Sequence, residues 1–267
     1  MTAHFEFLSR TEAGSCAMVV EEVKLGRQLS VLHVTLFQNG LLSQAPWIDT
    51  ALSRKEVTAY VTMTNLGVEK GLSLPTGFSL EPPPPPADLP KLSKDQDALW
   101  GRLQFPKHGG FGSMRVLKNV EYYIPKRGQS SKSVIDAWIR LASGEGFTNT
   151  SLGYVADCYP YVVESYRPNP PSSGSPKGEG VEPFPFDQAF WYPTVTLNLE
   201  LKKSVPETGV EWLFMRVQSK QVKKGRLDLE VIIMDEAGEL VALSQHVNLI
   251  VGGERNLSKR RTKQGQL

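Results

Sequence analysis

The sequence predicts an α+β protein, antiparallel sheet closing on a buried helix, with the sheet pattern written twice. Three observations predict it. Residues 26–43 (GRQLSVLHVTLFQNGLLS) and 225–249 (GRLDLEVIIMDEAGELVALSQHVNL) share one pattern, in which Gly-Arg opens an alternating apolar run, a polar turn with a glycine follows, and a second apolar run begins. The Gly-Arg pairs stand 199 residues apart and the turn glycines Gly40 and Gly238 stand 198 apart, a spacing that fits two copies of one domain. Elsewhere the apolar period is that of strands, except in LGYVADCY, where Leu152, Val155, Ala156 and Tyr159 recur at helical spacing. A lone amphipathic helix must bury its stripe, and the sheet is the partner at hand.

The elements follow in order. Residues 1–65 hold the runs VLHVTLF and VTAYVTM, broken by AGS, QNG and NLG, and form the sheet of a partial N-terminal copy. Residues 66–114 turn irregular around Pro82 to Pro86, which cannot donate ladder hydrogen bonds, and are read as a Pro-rich interdomain linker. A C-terminal copy spans 115–251: strands in MRVLKNVEYYIP and SVIDAWIRLA, a helix over about 149–166 capped by Thr or Asn and interrupted near Pro160, then four strands with short turns. The proline-rich stretch at 167–186 is a loop, and 252–267 is a basic, solvated tail.

Composition narrows the function. Thirty basic against 28 acidic residues give a net charge of +2, which supplies no global attraction to nucleic acid or to an anionic membrane. No window approaches the roughly 18 apolar residues of a membrane span. Neither a signal peptide nor a Ser-Lys-Leu ending is present, so the expectation is a cytoplasmic protein with Cys16 and Cys158 as free thiols. The sequence holds neither Cys-x-x-Cys nor His-Glu-x-x-His, and its four histidines argue against zinc, so no metal or cofactor is expected. His108-Gly109-Gly110-Phe111-Gly112 has the look of a lipase oxyanion loop, but no Gly-x-Ser-x-Gly elbow accompanies it. The aromatic stretch FPFDQAFWYP is read as core packing before pocket lining.

Against this background AWIRLASG (137–144), LGYVADCYP (152–160), PTVTLNLELKKS (193–204), EWLFMRVQS (211–219) and DEAGELVALSQHVNL (235–249), with TAHFEFLSR and LHVTLFQNG in the first copy, resemble the double hot-dog acyl-CoA thioesterases of type II. The resemblance implies two fused hot-dog units with sheets side by side, and hydrolysis of an acyl-CoA or acyl-carrier thioester by water held between an Asp, a Thr and a Gln. The Asp falls on Asp157 and the Thr on Thr194, while His246 stands at the Gln position, with Gln245 on the opposite face. Asp157, on a helix wrapped by sheet, is the expected general base, Thr194 the holder of the water, and His246 a donor to the oxyanion or a second base. The family begins with a strand and a helix ahead of TAHF. The first copy is therefore expected to be incomplete, leaving an apolar face for a second copy in a homo-oligomer, for the linker, or for a segment lost from a shortened gene product. Rival readings are a non-catalytic hot-dog protein that binds acyl groups or a protein partner, and a hot-dog dehydratase or isomerase of a biosynthetic pathway.

Overall fold

A computed structural model describes residues 1–105, 116–167 and 190–253. The lipase-like glycine stretch at 108–112 and most of the 167–186 loop and of the basic tail lie outside the described residues. Four strands open the chain: β1 (Thr2–Phe7), β2 (Ala17–Lys24), β3 (Ser30–Gln38) and β4 (Arg54–Met63). A one-turn helix α1 (Leu89–Leu92) precedes β5 (Trp100–Arg102), β6 (Val120–Pro125) and β7 (Val134–Leu141). The helix α2 (Leu152–Asp157) and a 3-10 turn (Val162–Tyr166) follow, then β8 (Phe190–Trp191), β9 (Thr194–Leu201), β10 (Leu213–Gln218), β11 (Val222–Lys223), β12 (Arg226–Met234), β13 (Leu240–Leu249) and β14 (Val251–Gly252). Among the described residues no helix is long and apolar enough to cross a membrane.

The two expected sheets are one. Twelve strands form a continuous antiparallel sheet in the order β2-β3-β4-β1-β9-β13-β12-β10-β7-β6-β5, with β11 on β12. The seam is β1 on β9, where Phe5 faces Leu197 and Ala3 faces Leu199. On either side of it the order mirrors: β1, β4, β3, β2 in one direction and β9, β13, β12, β10 in the other. That is the repeat seen in the sequence, with both turn glycines at positive φ, 54° at Gly40 and 79° at Gly238, where a side chain would be strained. Both hairpins also carry a bulge at the same place, skipping Glu56 in β4 and Val241 in β13.

The main core fills one face of the sheet, where Leu197, Leu199, Met215, Val231 and Ile233 meet Leu152, Val155 and Ala156 of α2. The predicted helix over 149–166 is a single six-residue helix followed by a 3-10 turn. Pro160 is the reason: it lacks an N–H and disfavours helical backbone at Tyr159, so α2 must end before it. Ser151 stands at the N-cap, in place of the expected Thr or Asn.

The Pro-rich segment does more than connect. Leu80, Leu92 and Trp100 lie under 9% exposed with Tyr123, Trp212, Phe214 and Ile232 in a second core on the opposite face of the C-terminal half. Trp100 donates its indole N–H to the Pro86 carbonyl at 3.1 Å and meets Phe214 edge-on. Beneath it, Arg216 on β10 and Asp136 on β7 form a buried bidentate pair at 2.7 and 2.8 Å, and the same guanidinium donates to the Pro82 carbonyl at 2.7 Å. The second half of the presumed spacer is therefore a cover for the sheet, and β5 is one of its strands.

Candidate active site

The site begins with how α2 is held. Phe147 and Val210 exchange backbone hydrogen bonds of 2.7 and 3.0 Å, and a Cβ at Gly209 would lie 2.9 Å from the Gly146 backbone. Only glycines allow that approach, which ties the segment entering α2 to the segment entering β10. Asn149 accepts from the Val205 N–H at 3.0 Å and adds a second tie. Leu152, Val155 and Ala156 then anchor α2 on the sheet, and its last residue, Asp157, is delivered to the edge of the core.

Asp157 meets Thr194, the first residue of β9, whose hydroxyl donates to Asp157 Oδ1 at 3.3 Å. His246 Nδ1 lies 3.5 Å from the same oxygen. The three residues singled out from sequence are thus brought together, but two of them are not placed as expected. The Asp157 side chain is 40% exposed, because α2 stops before the sheet can wrap its final turn. The His246 side chain is 0% exposed, with Nε2 2.6 Å from Ser244 Oγ and Nδ1 3.4 Å from the Tyr159 hydroxyl. It supports Asp157 from behind. Gln245 is exposed and pairs with Asn198 on the other face, as its register predicts.

Two participants escaped the sequence reading. Tyr159 had been counted for its apolar ring, yet its hydroxyl is part of the cluster, and burial, then the Asp157 charge, push its pKa well above the ordinary value. Asn248, 1% exposed, donates from Nδ2 to Thr194 Oγ1 at 3.1 Å. It follows His246 by two residues on one strand, so period-two alternation was the signal for it. Its Oδ1 is buried without a protein partner, a state unfavourable by about 1–3 kcal/mol.

Asp157, Thr194 and Asn248 open on a cavity of about 1070 Å³ that both halves of the sheet line, with Phe5, Val34 and Leu36 from one side and Tyr154, Trp191 and Leu197 from the other. Trp191 and Tyr192 of the aromatic stretch line it, where core packing had been favoured over pocket lining, while 184–189 lie outside the described residues. Cys158 also borders the cavity, but burial pushes its thiol pKa up, and Tyr122 holds it at 3.1 Å. A protonated thiol is a poor nucleophile, which leaves the carboxylate as the group able to activate water. Among the described residues no group of three or more His, Cys, Asp or Glu is placed to hold a metal ion.

Comparison with known proteins agrees with this architecture. The acyl-CoA thioesterase C-terminal domain matches residues 86–250 and the acyl-CoA thioesterase N-terminal domain matches 1–64. The thioesterase-like protein TwmA of Talaromyces wortmannii is 44% identical, covering 97% of this chain and 79% of its own length. A thioesterase II of Thermobifida fusca superposes with a TM-score of 0.61 at 19% identity, covering 93% of this chain and 77% of that one. A hot-dog protein of Alicyclobacillus acidocaldarius gives 0.64 at 13% identity with coverages of 93% and 77%. An acyl-CoA thioesterase II of Mycobacterium marinum gives 0.55 at 15%, with coverages of 100% and 82%. These structural likenesses carry the double hot-dog fold, and the domain matches with the fungal relative carry the family: the chain belongs to the acyl-CoA thioesterases.

Proposed function

We propose that this chain hydrolyses acyl thioesters, of coenzyme A or of an acyl carrier, by direct attack of water activated at Asp157. The observation that carries the reading is a carboxylate and a hydroxyl 3.3 Å apart in the wall of a large, mostly apolar cavity. A thioester carbonyl is electrophilic enough for water once a positioned base removes a proton, a contribution of about 10²–10⁴-fold. Asp157 takes that proton as the water oxygen bonds to the carbonyl carbon. Collapse of the tetrahedral intermediate breaks the C–S bond, and the departing thiolate recovers the proton from the Asp157 carboxylic acid. Thr194 holds the water, and His246, hydrogen-bonded to Ser244, positions the carboxylate.

A second reading, an acyl-binding protein without turnover, is favoured by one feature: the residue at the Gln position, His246, is closed off behind Asp157 and Tyr159. A panel of acyl-CoAs of graded chain length, assayed for thiol release, separates the two. Hydrolysis that falls at least a hundredfold in Asp157→Asn, with KM within a few fold, supports the thioesterase reading. Saturable acyl binding without thiol release supports the second, and hydration of an enoyl thioester without thiol release returns the dehydratase reading.

A further inference from the structure

We infer that Asn248 is a positioning residue that fixes the direction of the Thr194 hydroxyl and so leaves the attacking water with a free lone pair. The inference rests on the thioesterase reading and follows from donors and acceptors. An ionised carboxylate only accepts, so in the Thr194–Asp157 contact the single hydroxyl proton of Thr194 points at Asp157 Oδ1. The Thr194 oxygen must then accept at its other contact, and Asn248 Nδ2 donates to it at 3.1 Å. That chain of directions turns the Asn248 carbonyl oxygen away from Thr194, and it is this oxygen that lies buried without a protein partner. The amide is held in an orientation that leaves its own acceptor unsatisfied in order to present its donor.

The consequence reaches the water. With its proton committed and one lone pair occupied by Asn248, Thr194 has one remaining lone pair, which the neighbouring Tyr159 hydroxyl leaves to water by turning its own proton to His246 Nδ1, and Asp157 offers only acceptors. A water touching both donates both of its hydrogens, one to each, and its own lone pairs face the cavity where the thioester carbonyl would lie. Without Asn248, the Thr194 hydroxyl is free to turn its proton onto that water and occupy the electron pair that must form the new C–O bond. Asn248 touches neither substrate nor water in this scheme and acts through Thr194.

Leucine matches asparagine in branching and in the number of side-chain heavy atoms and has neither donor nor acceptor, so Asn248→Leu separates the roles. The expected result is a kcat lower by about tenfold to a hundredfold with KM within about twofold. The melting temperature is expected to be unchanged or raised, since the unsatisfied oxygen is removed. The double variant Asn248→Leu with Thr194→Val should be no slower than Thr194→Val alone, because one acts through the other. Losses that multiply in the double variant overturn the inference, as does a kcat for Asn248→Leu equal to that of the unsubstituted protein. A melting temperature lowered by several degrees overturns it too, by making the amide a structural group. If the unsubstituted protein releases no thiol from any acyl-CoA, the thioesterase reading fails by that result alone, while the melting comparison still decides whether Asn248 serves the fold.

Discussion

The two sides of the β1–β9 seam share a topology and differ in what covers them. Matched through the strand registers, Met18 in β2 and Met215 in β10 sit opposite equivalent residues, Leu36 and Ile233, of equivalent hairpins. Met18 is 63% exposed and Met215 is 0% exposed. One hairpin frame therefore gives a core on the side where α2 lies over one face and the Pro-rich segment over the other, and gives an open apolar face on the side where no helix occurs between β1 and β4. The same register match places Ala59 and Val61 where the C-terminal half has Ser244 and His246. The polar cluster of Asp157, Thr194, His246 and Asn248 is written into one copy, and the other contributes an apolar wall to its cavity.

The sharpest way to break this contrast is at the buried ion pair. Arg216→Leu leaves Asp136 charged, 3% exposed and unpaired, and is expected to destabilise by about 3–5 kcal/mol in denaturant unfolding. The matched position in the first half is Val19, where an arginine is expected to change stability by less than about 0.5 kcal/mol. Next, Met215→Ala should lose about 2–5 kcal/mol to transfer and cavity terms, against under about 0.5 kcal/mol for the exposed Met18→Ala. Equal losses would mean that the first half is covered as fully as the second.

Acid sharpens the comparison further. Asp97 clasps the Pro-rich cover: burial alone would raise its pKa, but N–H groups of Asp88, Leu99 and Trp100 donate to it at 2.7–2.8 Å, and its pKa lies below the ordinary 3.8. A carboxyl depressed on folding contributes stability above its unfolded value, and that contribution is lost as pH falls from about 3.8 through the folded value. Tryptophan fluorescence from the second core should report loosening in that window, and Asp97→Asn should flatten the pH dependence.

Much of this was legible in the sequence for physical reasons. Gly40 and Gly238 stand out because a hairpin turn at positive φ needs them, so the repeat survived where its side chains diverged. Asp157 and Thr194 were found through a resemblance carried by short, well-matched segments. What was missed depends on tertiary placement. Val162 and Val163 continue an apolar stripe, which extended the helix on paper, but the Pro160 ring stops it and they are buried from a 3-10 turn. Leu80, Leu92 and Trp100 have no common period, so nothing local announced that they cover the sheet. Asn248 is an ordinary strand residue and Tyr159 an ordinary aromatic just past the helix until the fold sets their polar ends beside Thr194 and His246.

The account stands on water attacking the thioester directly at Asp157, and a single turnover in ¹⁸O-labelled water with enzyme in excess over acyl-CoA tests it. The prediction is one labelled oxygen in the released fatty acid and none in the Asp157 side chain, read by mass spectrometry of the acid and of the peptide carrying that residue. Label in Asp157 with unlabelled acid after the first turnover would make the carboxylate a nucleophile instead of a base and contradict the account.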